Sequence, residues 1–289
     1  MMKSEDFGTK MENTWCPGCP NFGILQAVKE AFAELATEGK IKAKDISVIV
    51  GIGCHAKIFD YLNVNAFYGL HGRPLPVALG IKTSNPQLTV VAFGGDGDTF
   101  AEGISHFIHN CRHNANITML VHNNQAFSLT TGQATPTTEK GFVGPSTPSG
   151  KKEEPINPVV LALVSGATFA ARGSALDPVH LKGIIKKAIE HEGFSFVDIL
   201  QPCLIFHDSS SYYVKNTYKV EGNNTQDIKQ AMELAKEWDY SFEEDKKVPL
   251  GVFFEIKKPT FESQWANLGK PCYLIDRKID WQKLAEEFK

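Results

Sequence analysis

Residues 88–126, LTVVAFGGDGDTFAEGISHFIHNCRHNANITMLVHNNQA, leave a chain few ways to fold. An apolar run from Leu88 to Phe93 is short enough for a buried strand. It gives way to Gly94-Gly95-Asp96-Gly97-Asp98, where glycines permit a sharp turn and close backbone approach to a ligand. Phe100, Ile104, Phe107, Ile108 and Cys111 then recur at helical spacing, which predicts a helix with that face buried. A second apolar run, Ile117 to Val121, ends at Asn123-Asn124. Strand, helix and strand in this order make a βαβ unit with parallel strands. Residues just past their C-termini share the crevice in which open α/β sheets bind ligands. Asp96 and Asn124 are therefore expected to meet there.

A carboxylate and an amide oxygen beside glycine amides suit a magnesium-bound pyrophosphate, because magnesium takes hard oxygen ligands and shares them with phosphate. Commoner motifs fail on the same residues. An EF-hand loop starting at Asp96 would need its turn glycine at Ala101 and its closing glutamate at Phe107. A G-x-G-x-x-G would need its last glycine at Phe100, and no G-x-x-x-x-G-K-[ST] occurs in the chain. What remains resembles the thiamine diphosphate fingerprint: Gly95-Asp96-Gly97, a spacer, then Asn123-Asn124. The plain alternative is a glycine turn and an asparagine turn in an ordinary α/β sheet.

Strand–helix alternation continues on both sides, which predicts a doubly wound, mostly parallel α/β sheet. Phe22, Leu25, Val28, Phe32 and Leu35 line one helix face, and Ile46–Val50 reads as a strand ending in Gly51-Ile52-Gly53-Cys54-His55. Helical pieces follow at 57–62 and 76–82. Residues 130–157 lack periodicity and are dense in Thr, Gly, Pro and Ser. A loop this long is either functional, here a cover for the crevice, or a plain connector. Further expectations are a helix from Pro158, a strand over 167–171, a helix over 177–191, a strand over 194–200, a helix over 225–239 and a strand over 250–256. We divide the chain into a binding domain, 1–205, and a C-terminal extension, 206–289, whose aromatic and charged end is expected to pack on a partner.

The chain has 289 residues, 42% of them apolar, and 30 basic against 33 acidic residues give a net charge of −3. This near balance argues against nucleic acid or an anionic membrane as the main partner. The first residues carry no apolar signal, and no run reaches membrane-spanning length. Six cysteines in such a chain point to a reducing compartment, so a cytoplasmic location is expected. Cys16-Pro17-Gly18-Cys19 forms a Cys-x-x-Cys, Cys54 follows a glycine-rich strand end and Cys203 another strand end. Cys111 lies on an apolar helix face and reads as core; Cys272 has no clear assignment.

Three readings of the four turn cysteines stay open on the residues alone: an iron–sulfur cluster, a structural zinc and a redox dithiol. The dithiol reading lacks the strand such a motif follows, and the zinc reading lacks a second close pair. His106, His109 and His113 share one helix but lack the glutamate of a zincin, and read as solvated. Gly51-Ile52-Gly53-Cys54-His55-Ala56 matches the dinucleotide pattern G-x-G-x-x-A. However, no Asp or Glu lies between Tyr61 and Gly95, so a nicotinamide-dependent dehydrogenase is a weaker alternative. A non-catalytic electron-transfer or zinc-stabilised subunit is another.

Taken together, WCPGCPNF (15–22), GIGCHAK (51–57), HGRPLP (71–76), GGDGD (94–98) and TGQATPTT (131–138) resemble the beta subunit of the two-subunit 2-oxoacid:ferredoxin oxidoreductases. The resemblance runs from about Trp15 to Cys203. It implies thiamine diphosphate, Mg2+ and one [4Fe–4S] cluster as cofactors. Cys16, Cys19, Cys54 and Cys203 would ligate the cluster; Asp96, the Asn124 side chain and the Ala126 carbonyl would ligate magnesium. Ile52, Gly53, Cys54, His55, Gly95, Gly97, Asp98, Ser128 and Leu129 would contact the cofactor. Lys57 would pair with a substrate carboxylate, Leu129 would shape the pocket, and His71 and Arg73 would lie nearby. Pro20, where relatives more often carry glycine, removes an amide that would bond a cluster sulfur. The implied reaction turns a 2-oxoacid and coenzyme A into acyl-CoA and CO2 while reducing ferredoxin, with 2-oxoglutarate weakly favoured and the reverse reaction allowed. The glutamate that activates thiamine would lie on an alpha or fused gamma–alpha partner, so a heterotetramer active only as a complex is expected.

Overall fold

The apolar runs become the strands of one sheet. The computed structural model describes residues 2–265, 269–275 and 279–289. Its strands are β1 (Ile46–Val50), β2 (Asn65–Tyr68), β3 (Thr89–Gly95), β4 (Ile117–Asn123), the pair β5 (Ala126–Phe127) and β6 (Gln133–Ala134), β7 (Phe169–Ser174), β8 (Phe194–Leu200), β9 (Thr217–Lys219) and β10 (Val248–Glu255). β5 and β6 form a separate hairpin; the other eight order as β2-β1-β3-β4-β8-β7-β10-β9. Neighbours in this sheet run parallel except β10, which lies antiparallel to β7. The mostly parallel α/β reading is thus borne out. β10 is not an edge strand as its sequence suggested, because the three-residue β9 covers it.

Side-chain alternation along the central strands builds a core on each face. Val48 and Val50, Val91 and Phe93, Leu120, Val197 and Ile199 point to the layer of α1 (Asn21–Thr37) and α6 (Pro178–Glu190). Ile49, Val90 and Ala92, Met119 and Val121, Phe194 and Phe196 point the other way. They meet α3 (Pro74–Ser84), α4 (Ile104–His113), α5 (Pro158–Val164) and α8 (Ile228–Lys236). β1, β4, β7 and β8 are buried along their whole length, as strands covered on both faces must be. A third, aromatic cluster joins Leu200 to Tyr213, on α7 (Ser210–Asn216), and to Trp238, Tyr240, Val248 and Leu250.

Three departures from the sequence reading matter for function. The helix expected from Phe100 starts late. Gly97–Glu102 first makes a wide π-helical turn, and α4 begins only at Ile104. Within this turn the buried Asp98 carboxylate accepts from the backbone amides of Ile52 and Gly72; π-turns of this kind recur at functional sites. Residues 130–157 are not structureless: they contribute β6, which pairs back onto β5, and buried Lys151 fastens them by donating to Thr138 O at 2.9 Å and Glu153 O at 3.1 Å. The edge strand β2, which no apolar run announced, pairs with β1. Within the C-terminal stretch expected to meet a partner, 266–268 and 276–278 lie outside the described residues. Elsewhere in it, Tyr273, Leu274 and the short α9 (Trp281–Glu286) expose large apolar side chains. No helix among the described residues is long and apolar enough to cross a membrane.

Candidate active site

The C-terminal ends of β1, β3 and β4 open into one cleft, as the parallel register requires. Ile52, Gly53, Cys54 and His55 come from the end of β1, Gly95–Asp98 from β3, and Asn124, Ala126, Phe127, Ser128 and Leu129 from beyond β4. Every residue expected to contact the cofactor lines this cleft, and His71 does too. Lys57 and Arg73 do not. The Lys57 ammonium donates to Thr14 O at 3.0 Å, while Arg73 donates to the carbonyls of Gly72 and Glu102 at 3.2 and 2.6 Å.

Asp98 organises one wall. Its Oδ1 accepts from Ile52 N at 3.1 Å and Gly72 N at 2.7 Å, and meets His71 Nδ1 at 2.6 Å. Its Oδ2 lies 3.5 Å from His55 Nε2, an ion-pair distance. Burial would push this carboxyl up, but the imidazoles of His55 and His71 and the Gly72 amide outweigh it and hold it well below the usual carboxylate range. The hydrogen bond to Asp98 in turn raises His71. Gly51 is glycine for lack of room: a Cβ there would sit 2.0 Å from Asp98 Oδ2.

Asp96 occupies the other wall and is buried. Its Oδ2 accepts the hydroxyls of Thr135 at 2.6 Å and Thr137 at 2.8 Å, whereas Oδ1 has only a long 3.4 Å contact from Asn124 N. Burial pushes this carboxyl up, against those same donors. Asn124 Oδ1 accepts from Ala126 N at 3.1 Å, and its Nδ2 donates to Ser128 Oγ and Gln201 Oε1. Asn123 points into the sheet, bonding Asp198 and Thr137, which leaves Asn124 as the asparagine that faces the cleft. Between the two lining residues Asn124 and Ala126, Gln125 adopts a left-handed backbone with φ 56°. The Phe127 ring lies against Gly97, where a Cβ would meet it at 2.3 Å.

Sequence reasoning missed His122, Thr135 and Thr137. His122 lines the cleft from the end of β4, with Nδ1 2.8 Å from Asn21 Oδ1 and no partner for Nε2. It was hidden because it continues an apolar strand. The threonines lay inside TGQATPTT, but nothing in their spacing says that they reach a carboxylate on β3.

The four turn cysteines gather beside the cleft. Cys19 N donates to Cys16 O at 3.0 Å, closing the Cys-Pro-Gly-Cys turn, and Trp15 Nε1 fixes Cys54 O at 2.6 Å. Cys203 N and O both bond the backbone of His207. Burial pushes the Cys19 thiol up to about 11; a backbone amide of Asn21 opposes this, and the thiols of Cys54, Cys16 and Cys203 add to it. Gln201 Nε2 donates toward Cys19 Sγ at 3.8 Å. Among the described residues, no group of three or more His, Cys, Asp or Glu side chains is arranged to hold one metal ion.

The dinucleotide reading fails locally. After Gly53 the chain makes a short 3₁₀ turn, Cys54–Lys57, and a four-residue α2 (Ile58–Tyr61), not the long helix that caps a bound pyrophosphate. Among the described residues no strand precedes Cys16, as a thioredoxin-like dithiol would need.

Comparison with known proteins agrees with the cleft. The thiamine pyrophosphate enzyme C-terminal TPP-binding domain matches residues 51–199, and the C-terminal family of the pyruvate ferredoxin oxidoreductase beta subunit matches residues 207–270. Fold and site thus define a thiamine pyrophosphate-binding enzyme domain. The 2-oxoacid:ferredoxin oxidoreductase subunit beta of Saccharolobus solfataricus is 41% identical, covering 92% of this chain and 90% of that one. The 2-oxoacid:ferredoxin oxidoreductase 1 subunit beta of Aeropyrum pernix is 38% identical over 97% and 90%. A solved chain of the 2-oxoglutarate:ferredoxin oxidoreductase from Magnetococcus marinus superposes with a TM-score of 0.90 at 34% identity, covering 100% of this chain and 96% of that one. The chain belongs to the beta subunits of the 2-oxoacid:ferredoxin oxidoreductases.

Proposed function

We propose that the cleft holds thiamine diphosphate through a magnesium ion, that Cys16, Cys19, Cys54 and Cys203 hold a [4Fe–4S] cluster beside it, and that the chain works with an alpha-type partner. The complex converts a 2-oxoacid and coenzyme A into acyl-CoA and CO2 and passes the electrons to ferredoxin. One observation carries this reading: Cys54 belongs to both places. It lines the cleft, and its carbonyl accepts from the indole of Trp15, the residue that leads into the Cys16–Cys19 turn.

The donor set fits both groups. Asp96, the Asn124 side-chain oxygen and the Ala126 carbonyl are hard oxygens of the kind magnesium takes. A cubane divides four thiolates among separate irons, so its ligands need not converge as those of a single ion do. Thiamine diphosphate, when bound, supplies the carbanion stabilisation that decarboxylation needs. The protein supplies position and charge. Asp98 fixes His55 and His71 on one wall, and His71 keeps its proton to higher pH because of that carboxylate. The Lys57 ammonium, which donates to the Thr14 carbonyl, can exchange that bond for a substrate carboxylate.

Substrate preference is read from relatives. Beta subunits named for 2-oxoglutarate, such as that of Methanocaldococcus jannaschii at 34% identity over 87% of this chain, and the Magnetococcus marinus enzyme support 2-oxoglutarate. The test is anaerobic purification with the partner, assay of iron, sulfide and thiamine, and reduction of a viologen dye across a panel of 2-oxoacids. Four irons and four sulfides per chain, thiamine-dependent turnover and highest kcat/KM for 2-oxoglutarate are expected. Absence of iron with retained turnover overturns the cluster assignment. The isolated chain is expected to be inactive in the same assay; robust turnover overturns the need for a partner.

A further inference from the structure

Beneath the Asp96 wall lies a buried ionic group that no step of the proposed chemistry uses. Arg172 on β7 and Asp198 on β8 are register neighbours, and both are 0% exposed. Arg172 Nε is 3.4 Å from Asp198 Oδ2. The guanidinium carbon is 5.3 Å from the ring centres of both Trp238 and Tyr240, and the Tyr240 hydroxyl donates to the same Asp198 oxygen. A buried ion pair is usually no more stabilising than well-packed apolar side chains of the same size. What it adds is a fixed orientation, and its donors and acceptors lead to the site.

Two lines of contact run outward. Along the first, Asp198 Oδ1 accepts from Asn123 Nδ2 at 3.0 Å, Asn123 Oδ1 meets the Thr137 hydroxyl at 3.0 Å, and that hydroxyl lies 2.8 Å from Asp96 Oδ2. Along the second, Tyr213 Oη donates to Gln125 Oε1 at 2.9 Å, while Gln125 Nε2 donates to Thr137 O at 2.8 Å and reaches Tyr240 O at 3.4 Å. Gln125 is the residue held at positive φ between Asn124 and Ala126. Both lines begin on aromatic residues of the C-terminal region; the first ends on Asp96 and the second on Gln125, between Asn124 and Ala126.

We infer that Asp198 and Tyr240, braced by Arg172, are positioning residues for the metal-holding end of the cleft. The C-terminal region thereby presets Asp96, Asn124 and Ala126 without touching metal or cofactor. This inference rests on reading those oxygens as magnesium ligands. Groups that orient metal ligands typically change metal affinity by about 10–100-fold when removed.

The experiment compares Tyr240→Phe and Asp198→Asn with the parent in the complex with the partner subunit. Leu250→Ala, buried in the same aromatic cluster but outside both lines, serves as control. The readout is the Mg2+ concentration giving half-maximal thiamine diphosphate binding in equilibrium dialysis, together with the melting temperature. Tyr240→Phe and Asp198→Asn are expected to raise that concentration about tenfold or more, with kcat at saturating Mg2+ within about twofold of the parent. Leu250→Ala is expected to lower the melting temperature and leave the Mg2+ dependence where it was. Equal Mg2+ dependence in Tyr240→Phe, Asp198→Asn and the parent overturns the inference alone, as does an equal rise in Leu250→Ala. Binding by the parent that is indifferent to Mg2+ and to chelation overturns the underlying magnesium reading and the inference with it.

Discussion

Single atoms decide the geometry of the cleft. Asp98 gathers two imidazoles and two backbone amides on one carboxylate, and the space it occupies exists because residue 51 has no side chain. Gly51→Ala would drive that carboxylate from its place, and displacements of about 1 Å in such sites cost on the order of 10²-fold in rate. We expect turnover of the complex to fall by about that factor while far-ultraviolet circular dichroism is unchanged. Gly80→Ala on α3, where a Cβ meets nothing within 4 Å, is expected to leave turnover alone and to stabilise the helix by up to about 1 kcal/mol. Loss of activity in Gly80→Ala, or full activity in Gly51→Ala, would contradict this account.

At the scale of elements, the junction of α6, β7 and β8 carries a pH dependence. His191, at the end of α6, is buried with Nε2 2.8 Å from Thr168 Oγ1, and faces Phe169, Glu255 and Lys257. Burial, with a smaller push from Lys257, lowers its pKa to about 4. The unfolded chain takes up a proton near pH 6.5 that the folded chain refuses until about pH 4. Stability therefore falls as pH drops through that window. Buried His122, also held low, adds in the same direction. The melting temperature should decline from pH 7 to pH 5, and the decline should be shallower in His191→Gln; parallel profiles would sink the assignment. The same elements show what the sequence could tell. Phe194–Leu200 and Ile46–Val50 were legible because strands buried on both faces are mostly apolar, here interrupted only by Ser195 and Asp198 and by Ser47. Cleft residues at strand ends were legible because parallel sheets put them there. β2 and β9 were not, since short edge strands are defined by a neighbour and not by their own pattern. Nor was the seat of Thr135 and Thr137, which depends on how a long loop folds back over β3.

At the scale of the molecule, the exposed apolar side chains concentrate toward the C-terminus. Tyr273 is 80%, Trp281 69% and Phe288 85% exposed. Surfaces of this kind mark contacts with other chains. Hydrogen exchange of residues 279–289 should slow on forming the complex with the partner subunit; unchanged exchange would place that contact elsewhere.

The aromatic seal over Arg172 also has a consequence in time. Ribosomes deliver roughly 5–20 residues per second, so Tyr240 leaves the exit tunnel on the order of several seconds after Arg172. During that interval the strands that frame the cleft are already available, but the residues that lock its Asp96 wall are not. A nascent chain therefore passes through a stage in which β1, β3, β4, β7 and β8 are present and the contacts of Tyr240 with Asp198 are not. On the reading proposed above, a chain truncated before Tyr240 would keep the strands that frame the cleft yet lack the brace inferred for Asp96.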